Sequence, residues 1–479
     1  MTDHSPTHGT DGGFVRALGS LDTIAIGFGA MIGFGWVVLT GGWLESAGTF
    51  GAALAFVVGG LIMCLVGLTY SELVSAMPHA GGEHHYVMRG MGPRWAFVCS
   101  WAITGGYVTI VAFEAVALPR TALYLFPELN QVRLWSVAGS DVYLTWALVG
   151  VVAAVVLTLL NIRGIKPASA AQSFIVLFLL VVGALLLVGS FVGGSTANMR
   201  PLFTGGFDGF VAVLVVVPFL FVGFDVVPQS AEEINVPFRR IGQLVVLSVA
   251  MAALWYILVV VTAGSAMSSS ELAAADLATA DAMTALWGSE IFGTILIAGG
   301  IAGILTSWNA FLIGASRLLY AMGRSGMLPR FFGKLHPTYR TPVNALLFIG
   351  SLSVLAPWFG EAMLVWLVDS GAPSIVVAYF LVAVTFLVLR RREPEMDRPF
   401  RVGSARSPLG TVVGVAAAVL TLALLSLYLP GMPAALSIEP WILFGLWWLL
   451  GVVFLLRLPS GVAAGPDAEE RLLARLERS

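Results

Sequence analysis

The feature that most constrains this chain is a succession of apolar stretches, each about twenty residues long and nearly free of charge. Crossing the hydrocarbon core of a bilayer as a helix takes about 20 mostly apolar residues. Twelve such segments follow one another, at about 21–40, 50–76, 95–118, 142–162, 172–193, 207–229, 241–264, 289–316, 342–358, 363–389, 410–429 and 439–457. None alternates with period two, so lipid-spanning helices fit and a β-barrel does not. Only 11% of the 479 residues are charged, against roughly 25% in a soluble domain, too few to clothe a water-facing surface of this size. The chain therefore reads as an all-α integral membrane protein. Its two cysteines, Cys64 and Cys99, exclude a disulfide scaffold and a cysteine zinc site. A nucleic-acid-binding surface is excluded as well, and no cofactor or metal is expected.

Charge sets the orientation. All 25 Lys and Arg but three (Arg120, Arg133 and Arg200) fall in one alternate set of loops and ends, which by the positive-inside bias faces the cytoplasm. Both termini belong to that set. The first span follows a polar leader and runs into further spans, which reads against a cleaved signal peptide. Residues 1–20 read as a disordered cytoplasmic leader, and 458–479 as a cytoplasmic tail. From Pro466 that tail patterns as a short amphipathic helix, with a solvated end as the expectation. The outer connection 265–288 has no Lys or Arg. Its Ser268-Ser269-Ser270-Glu271 resembles a capping box ahead of an Ala-rich helix, which suits a lid over an external vestibule.

Ionisable residues inside a span are costly, at about 2.5–3.5 kcal/mol near the centre on insertion scales, and are candidates for function. Four acids qualify: Glu72, Glu114, Asp225 and Asp369. No Lys or Arg lies at mid-depth, so no buried ion pair is expected. Each acid is either a hydrogen-bonded packing residue or a group that exchanges a proton or faces a cationic ligand. Asp225 stands out because it follows Phe221-Val222-Gly223-Phe224 in the sixth span, with Pro218 and Pro228 on either side. Proline removes a backbone donor and glycine weakens a helix, so an interruption is expected there. The first span carries the matching stretch Gly27-Phe28-Gly29-Ala30-Met31-Ile32-Gly33-Phe34-Gly35-Trp36. Broken helices are tolerated in a bilayer where they line a polar cavity, as in secondary transporters. Two breaks about 190 residues apart suit two inverted repeats of five spans, 21–193 and 207–389, with two further helices at 410–457.

These residues, with others in order, resemble the amino acid–polyamine–organocation superfamily of transporters over about 18–405. The likeness runs through Gly29-Ala30-Met31-Ile32-Gly33-Phe34-Gly35, Tyr70-Ser71-Glu72-Leu73, Pro78-His79-Ala80-Gly81-Gly82 with Tyr86, Asn161-Ile162-Arg163-Gly164-Ile165-Lys166, Gly223-Phe224-Asp225 with Ala231-Glu232-Glu233, Ser316-Arg317-Leu318-Leu319-Tyr320-Ala321-Met322, Gly326-Met327-Leu328-Pro329 and Thr341-Pro342. The resemblance implies the inverted-repeat fold of the sodium-coupled leucine transporter, with helices 1 and 6 broken. It implies that backbone N–H groups from Ile32 to Gly35 (Ile32, Gly33, Phe34, Gly35) receive a substrate carboxylate. Carbonyls at the two breaks would receive its ammonium group, placing Ala30, Met31, Phe221, Val222 and Phe224 around the ligand beside Gly223. Asp225 falls where the family's arginine/agmatine exchangers carry a site glutamate, and Phe219 where they carry a gating aromatic. Thr306 and Ser307 match the hydroxyls that, in sodium-coupled relatives, join first-span carbonyls, here Gly29 and Ile32, around a cation.

The chain also departs from the pattern. Many proton-coupled members carry a fifth-span lysine seven residues after a glutamine; here Leu179 stands seven after Gln172. Glu83-His84-His85 lacks the spacing of a zinc-protease helix and lies in the family's cytoplasmic loop. The expectation is a secondary transporter for an amino acid or related amine, coupled to H+ or Na+ or working by exchange. Glu114 and Asp225 are the candidate coupling acids. A polyamine exchanger or a channel is the alternative. No histidine lies in any span, which leaves no constellation for an intramembrane enzyme.

Overall fold

A computed structural model describes residues 13–33, 35–404, 407–432 and 435–478. Phe34, named above, lies outside them, as does the leader up to residue 12. In chain order the helices are α1 (Ser20–Met31), α2 (Gly35–Val38), α3 (Thr40–Ala76), α4 (Glu83–Met91), α5 (Pro93–Leu125), α6 (Leu144–Ile162), α7 (Ile165–Val192), α8 (Gly206–Leu214), α9 (Val217–Leu220) and α10 (Val226–Gln229). They continue with α11 (Phe238–Ala266), α12 (Ser269–Ala274), α13 (Ala278–Trp287), α14 (Glu290–Arg324), α15 (Val343–Leu355), α16 (Ala362–Arg392), α17 (Leu409–Ser426), α18 (Ile438–Arg457) and α19 (Ala468–Leu476). Nine of those described are long and apolar enough to cross a membrane, and three apolar stretches are shorter: Ser20–Met31, Gly206–Leu220 and Val343–Phe359. Two of the short ones are the interrupted first and sixth segments. The helix α3 joins the end of the first segment to the second across Gly48 (φ 70°).

One helix group is α1, α3 and α8 with α11; a second is built on α5, which packs along α14, α15 and α16. The outward faces of α7, α11 and α18 expose Phe174, Leu177, Leu254 and Leu449, a lipid-facing surface that water would not tolerate. At the α5–α18 seam, Trp101 and Trp447 stack at 4.3 Å. Each indole N–H donates to the other's backbone carbonyl at 3.0 Å.

The segments that the charge pattern assigned to one side do gather at one end. There Asn235 N donates to Leu18 O at 2.8 Å, His79 meets Glu232 and Arg89 meets Glu393. The leader is not disordered throughout: Ala17 and Leu18 both donate to Glu233 O at 2.9 Å, and Leu18 is fully buried. The tail is not a solvated end either. The helix α19 buries Ala468 and Leu472 and sets Leu473 and Leu476 against Gly326. At the opposite end the capping box forms, Glu271 N donating to Ser268 Oγ at 3.4 Å and Ser268 N to Glu271 Oε2 at 2.9 Å. Thr279 Oγ1 on α13 donates to Trp36 O at 2.7 Å, pinning the outer connection onto α2. A hairpin, β1 (Arg133–Val137) and β2 (Ser140–Tyr143), was not anticipated. Its turn residues Ala138 and Gly139 both have positive φ, the twist that a two-residue hairpin loop needs.

The expectation of no buried ion pair fails. Glu72 lies one turn from the end of α3. It accepts from Arg390 at 2.5 and 2.8 Å, from Arg398 at 3.0 Å and from Val402 N at 2.8 Å. These arginines lie in or after the last turn of α16 and reach inward, as long side chains do. Glu233 and Arg317, both buried, pair through two bonds of 2.9 Å. Removing one partner from such a pair strands the other charge, at about 3–5 kcal/mol. Arg317→Met should therefore lower the thermal unfolding midpoint of the detergent-purified protein, and Arg317→Lys, which loses the two-point geometry, should fall between it and the parent.

Candidate functional site

The two interruptions meet. The helix α1 ends at Met31, Ile32 leaves helical geometry, and α2 starts at Gly35. Facing it, the chain unwinds over 221–225 between α9 and α10. Gly223 has φ +132°, and a Cβ there would lie 2.5 Å from Ala30 Cβ and 3.1 Å from Met31 N. Glycine alone meets both the conformation and the approach, so the sixth-segment glycine is what allows break to touch break.

Unwinding inside an apolar bundle frees carbonyls that need donors. Tyr256 on α11 supplies one: its Oη donates to Met31 O at 2.8 Å and lies 3.5 Å from Leu220 O. The ring is held between Phe56 (5.0 Å, stacked) and Phe221 (5.5 Å), which fixes where the hydroxyl points. Thr306 Oγ1 is within hydrogen-bond distance of Gly29 O (3.0 Å) and of its own helix's Gly303 O (2.9 Å). An amide chain braces the same region. Asn161 donates to Asn309 (2.8 Å), Asn309 to Gln172 (2.9 Å), and Gln172 to Ala25 O (3.2 Å).

Between the breaks lies a cavity of about 30 Å³, roughly one water's share of liquid volume. Its walls are Ala30, Met31, Gly33 and Gly35; Phe219, Leu220 and Val222; Ile110, Phe113 and Glu114; Tyr256, Ser307 and Phe311. An amino acid enters only if these walls part. Glu114 is the one carboxylate among them. A Cβ on Gly33 would lie 2.5 Å from Glu114 Oε1 and 3.0 Å from Ser307 Oγ, so the glycine leaves room for both. Among the described residues, Glu114 Oε2 has no hydrogen-bond partner.

Of the residues expected around a ligand, Ala30, Met31, Gly33, Gly35, Phe219 and Val222 line this cavity, with the coupling candidates Glu114 and Ser307. Ile32, Phe221, Gly223, Phe224 and Asp225 do not, and Phe34 is outside the described residues. The Ile32 carbonyl turns to Gly303, 2.6 Å from where a Cβ would sit. Phe221 backs Tyr256, and Phe224 packs against Tyr70 and Tyr379. Asp225 turns away: its Oδ1 accepts from Gly223 N at 2.8 Å, with the Tyr107 and Tyr379 hydroxyls beside its carboxyl. Tyr256, Ile110, Phe113, Leu220 and Phe311 were missed. For Tyr256 a signal existed, a phenol in an otherwise apolar span, where a hydroxyl needs a partner. The Trp36 ring meets Trp255 edge-on at 5.2 Å, and its carbonyl is held by Thr40 and Thr279. On α4, His84 Nδ1 meets Ser100 Oγ at 3.1 Å and His85 Nε2 meets Ala80 O at 3.0 Å. Burial holds His84 well below its ordinary value and His85 down to about 4. Both rings are therefore neutral near pH 7.

Residues 18–455 match the amino acid permease family model, and the chain belongs to that family. Its relatives are transporters, not enzymes. A branched-chain amino acid permease of Bacillus subtilis is 28% identical over 395 residues, covering 81% of this chain and 83% of the relative. A methylthioribose transporter of the same organism is 26% identical, covering 81% and 84%. Human cationic amino acid transporter 4 is 29% identical, covering 78% of this chain and 60% of its own length.

The Tyr256 hydroxyl generates a direct expectation. Tyr256→Phe keeps the stacked ring and leaves Met31 O without its donor, a loss of about 1–3 kcal/mol. Thermal unfolding of the purified variant should show it, while Tyr124→Phe, at an exposed hydroxyl bonded to Asp281, should change little.

Proposed function

We propose that this permease-family chain is a secondary transporter carrying an α-amino acid or related organic amine across the cell membrane by alternating access. The observation that carries the reading is the contact of two broken helices around a contracted cavity, the arrangement in which unwound backbone serves as ligand. The three short apolar segments, counted with the nine long helices, make the twelve spans of two five-helix repeats plus two. Both termini then lie on the cytoplasmic side with the arginine-rich loops.

In this reading the helix that starts at Gly35 continues to Ala47. Leu39 N donates to Gly35 O at 2.9 Å and Trp43 N to Leu39 O at 3.1 Å. The Gly33 and Gly35 N–H groups stand at its positive end and receive the substrate carboxylate. The Ala30, Met31, Phe221, Val222 and Phe224 carbonyls attract the ammonium group, and Phe219, with Phe113 edge-on at 6.1 Å, sizes the side-chain space. Glu114 gives the wall an acid for a proton or for a cationic side chain. Asp225 acts through the Gly223 amide that it holds. The carbonyls of Gly29 and Ile32 with Thr306 and Ser307 form the candidate cation position. Two of the substrate classes named for relatives, branched-chain and cationic amino acids, fit an apolar pocket bearing one carboxylate. A polyamine exchanger is the second reading, favoured by Glu114 alone.

Leucine, arginine, glutamate, methylthioribose and putrescine, each tested for thermal stabilisation and for counterflow in proteoliposomes, decide the class. A substrate at 100 times its dissociation constant should add about 2.7 kcal/mol and support saturable counterflow. Stabilisation by putrescine alone would favour the exchanger, and ohmic conductance without counterflow would overturn a carrier. Gly33→Ala, which drives a methyl into Glu114, should abolish stabilisation by the chosen substrate.

A further inference from the structure

The buried acids towards the end where the arginine-bearing loops gather divide into two kinds. Glu72 and Glu233 are each locked to arginine. Glu83, first residue of α4, and Asp225, at the sixth-segment break, are as deeply buried, yet among the described residues neither forms an ion pair. What faces them is neutral. Gly223 N donates to Asp225 Oδ1, and Gln229 Nε2 of α10 donates to Glu83 Oε2. Tyr70 from α3, Cys99 and Tyr107 from α5 and Tyr379 from α16 lie close enough to feel both carboxyls. Tyr86 and His84 flank Glu83 on α4, and His84 is turned to Ser100. Among the described residues, Glu83 Oε1, Gln229 Oε1 and the Tyr70 hydroxyl are buried without a hydrogen-bond partner, while the Tyr107 and Tyr379 hydroxyls lie beside the Asp225 carboxyl. Native interiors hold few such unpaired atoms. Three in one cluster mark a place built to receive something polar.

Two ionised carboxylates cannot share a dry, neutral enclosure. Burial first, and then the Asp225 charge, hold Glu83 well above the usual carboxylate range. We propose that Glu83 and Asp225 form a proton-binding pair, with the proton seated on Glu83, that ties the unwound sixth segment to the loop helix α4. The proposal deepens the transport reading and rests on it, naming the coupling ion as H+ and its port as the end where α4 lies. The same joint is mechanical. Gly81 N donates to Gln229 O at 3.1 Å, and Gly82 packs on Pro228. Loss of the proton leaves two like charges across that joint and drives α4 away from α10, so release of H+ and opening of this end are one event.

Infrared titration of the full chain in liposomes, without substrate and in a Glu114→Gln background, reads the pair directly. A protonated-carboxyl band should be present at neutral pH. Glu83→Gln should remove it, and Asp225→Asn should lower its titration midpoint by about one pH unit or more, because a like charge is gone. Gln229→Leu should raise the midpoint, because a donor to the carboxylate is gone. A band that survives Glu83→Gln, or that sodium in place of potassium abolishes, overturns the proposal. In proteoliposomes, Glu83→Gln should reduce pH-gradient-driven accumulation of the amino acid chosen by the panel to its no-gradient level while counterflow continues. Gradient stimulation retained in full overturns the coupling role. If the parent protein moves none of the panel compounds, the transport reading fails, and the infrared titration still decides the proton site.

Discussion

Everything central in this molecule depends on how backbone carbonyls are served where two helices stop inside an apolar bundle. In an apolar interior each freed C=O must find a donor or cost free energy. Tyr256 is the solution for Met31, held by flanking rings that leave its hydroxyl one direction to point. Thr306 does the same for Gly29, and the Asn161–Asn309–Gln172 chain extends the support to Ala25. The breaks are therefore fixed features of the fold, and their unpaired remainder is available to a ligand.

A second organising rule is the sorting of buried acids. Glu72 and Glu233 take arginine partners and act as rivets at one end of the bundle. Glu114 stands on the cavity wall, and Glu83 and Asp225 share a tyrosine-lined enclosure beneath it. Arginine beside any of those three would fix a charge permanently. Among the described residues Glu83 and Asp225 form no ion pair, which leaves that part of the molecule able to respond while the rim stays rigid.

Much of this was legible in the sequence because the bilayer simplifies the code. The apolar runs reappear as nine long and three shorter apolar helices among the described residues, Gly and Pro mark both breaks, and segments rich in arginine meet at one end. What escaped was anything decided by side-chain reach. Arg390 and Arg398 stand well outside the second span in sequence but bend onto Glu72, so depth in the chain misjudged depth in the bundle. Asp225 was rightly marked as unusual, yet a helix that unwinds can turn a side chain either way, and Gly223 N turned this one from the cavity. Glu83 draws notice in the sequence only through its histidine neighbours, a run without metal-site spacing, whereas its partners come from α10 and the sixth segment, which no local pattern reveals. The family match supports the overall reading, but it does not choose among these side chains.

The Glu72–Arg390 link also has a history in time. Its two halves are 318 residues apart, and a ribosome adding about 5–20 residues per second separates them by tens of seconds. During that interval the second span sits in the membrane with its acid unmatched. Placement one turn from the helix end lets the carboxylate wait at the water interface rather than in lipid. The bundle can close at that rim only after residue 398 emerges, so the last stage of synthesis, not the first, completes the seal.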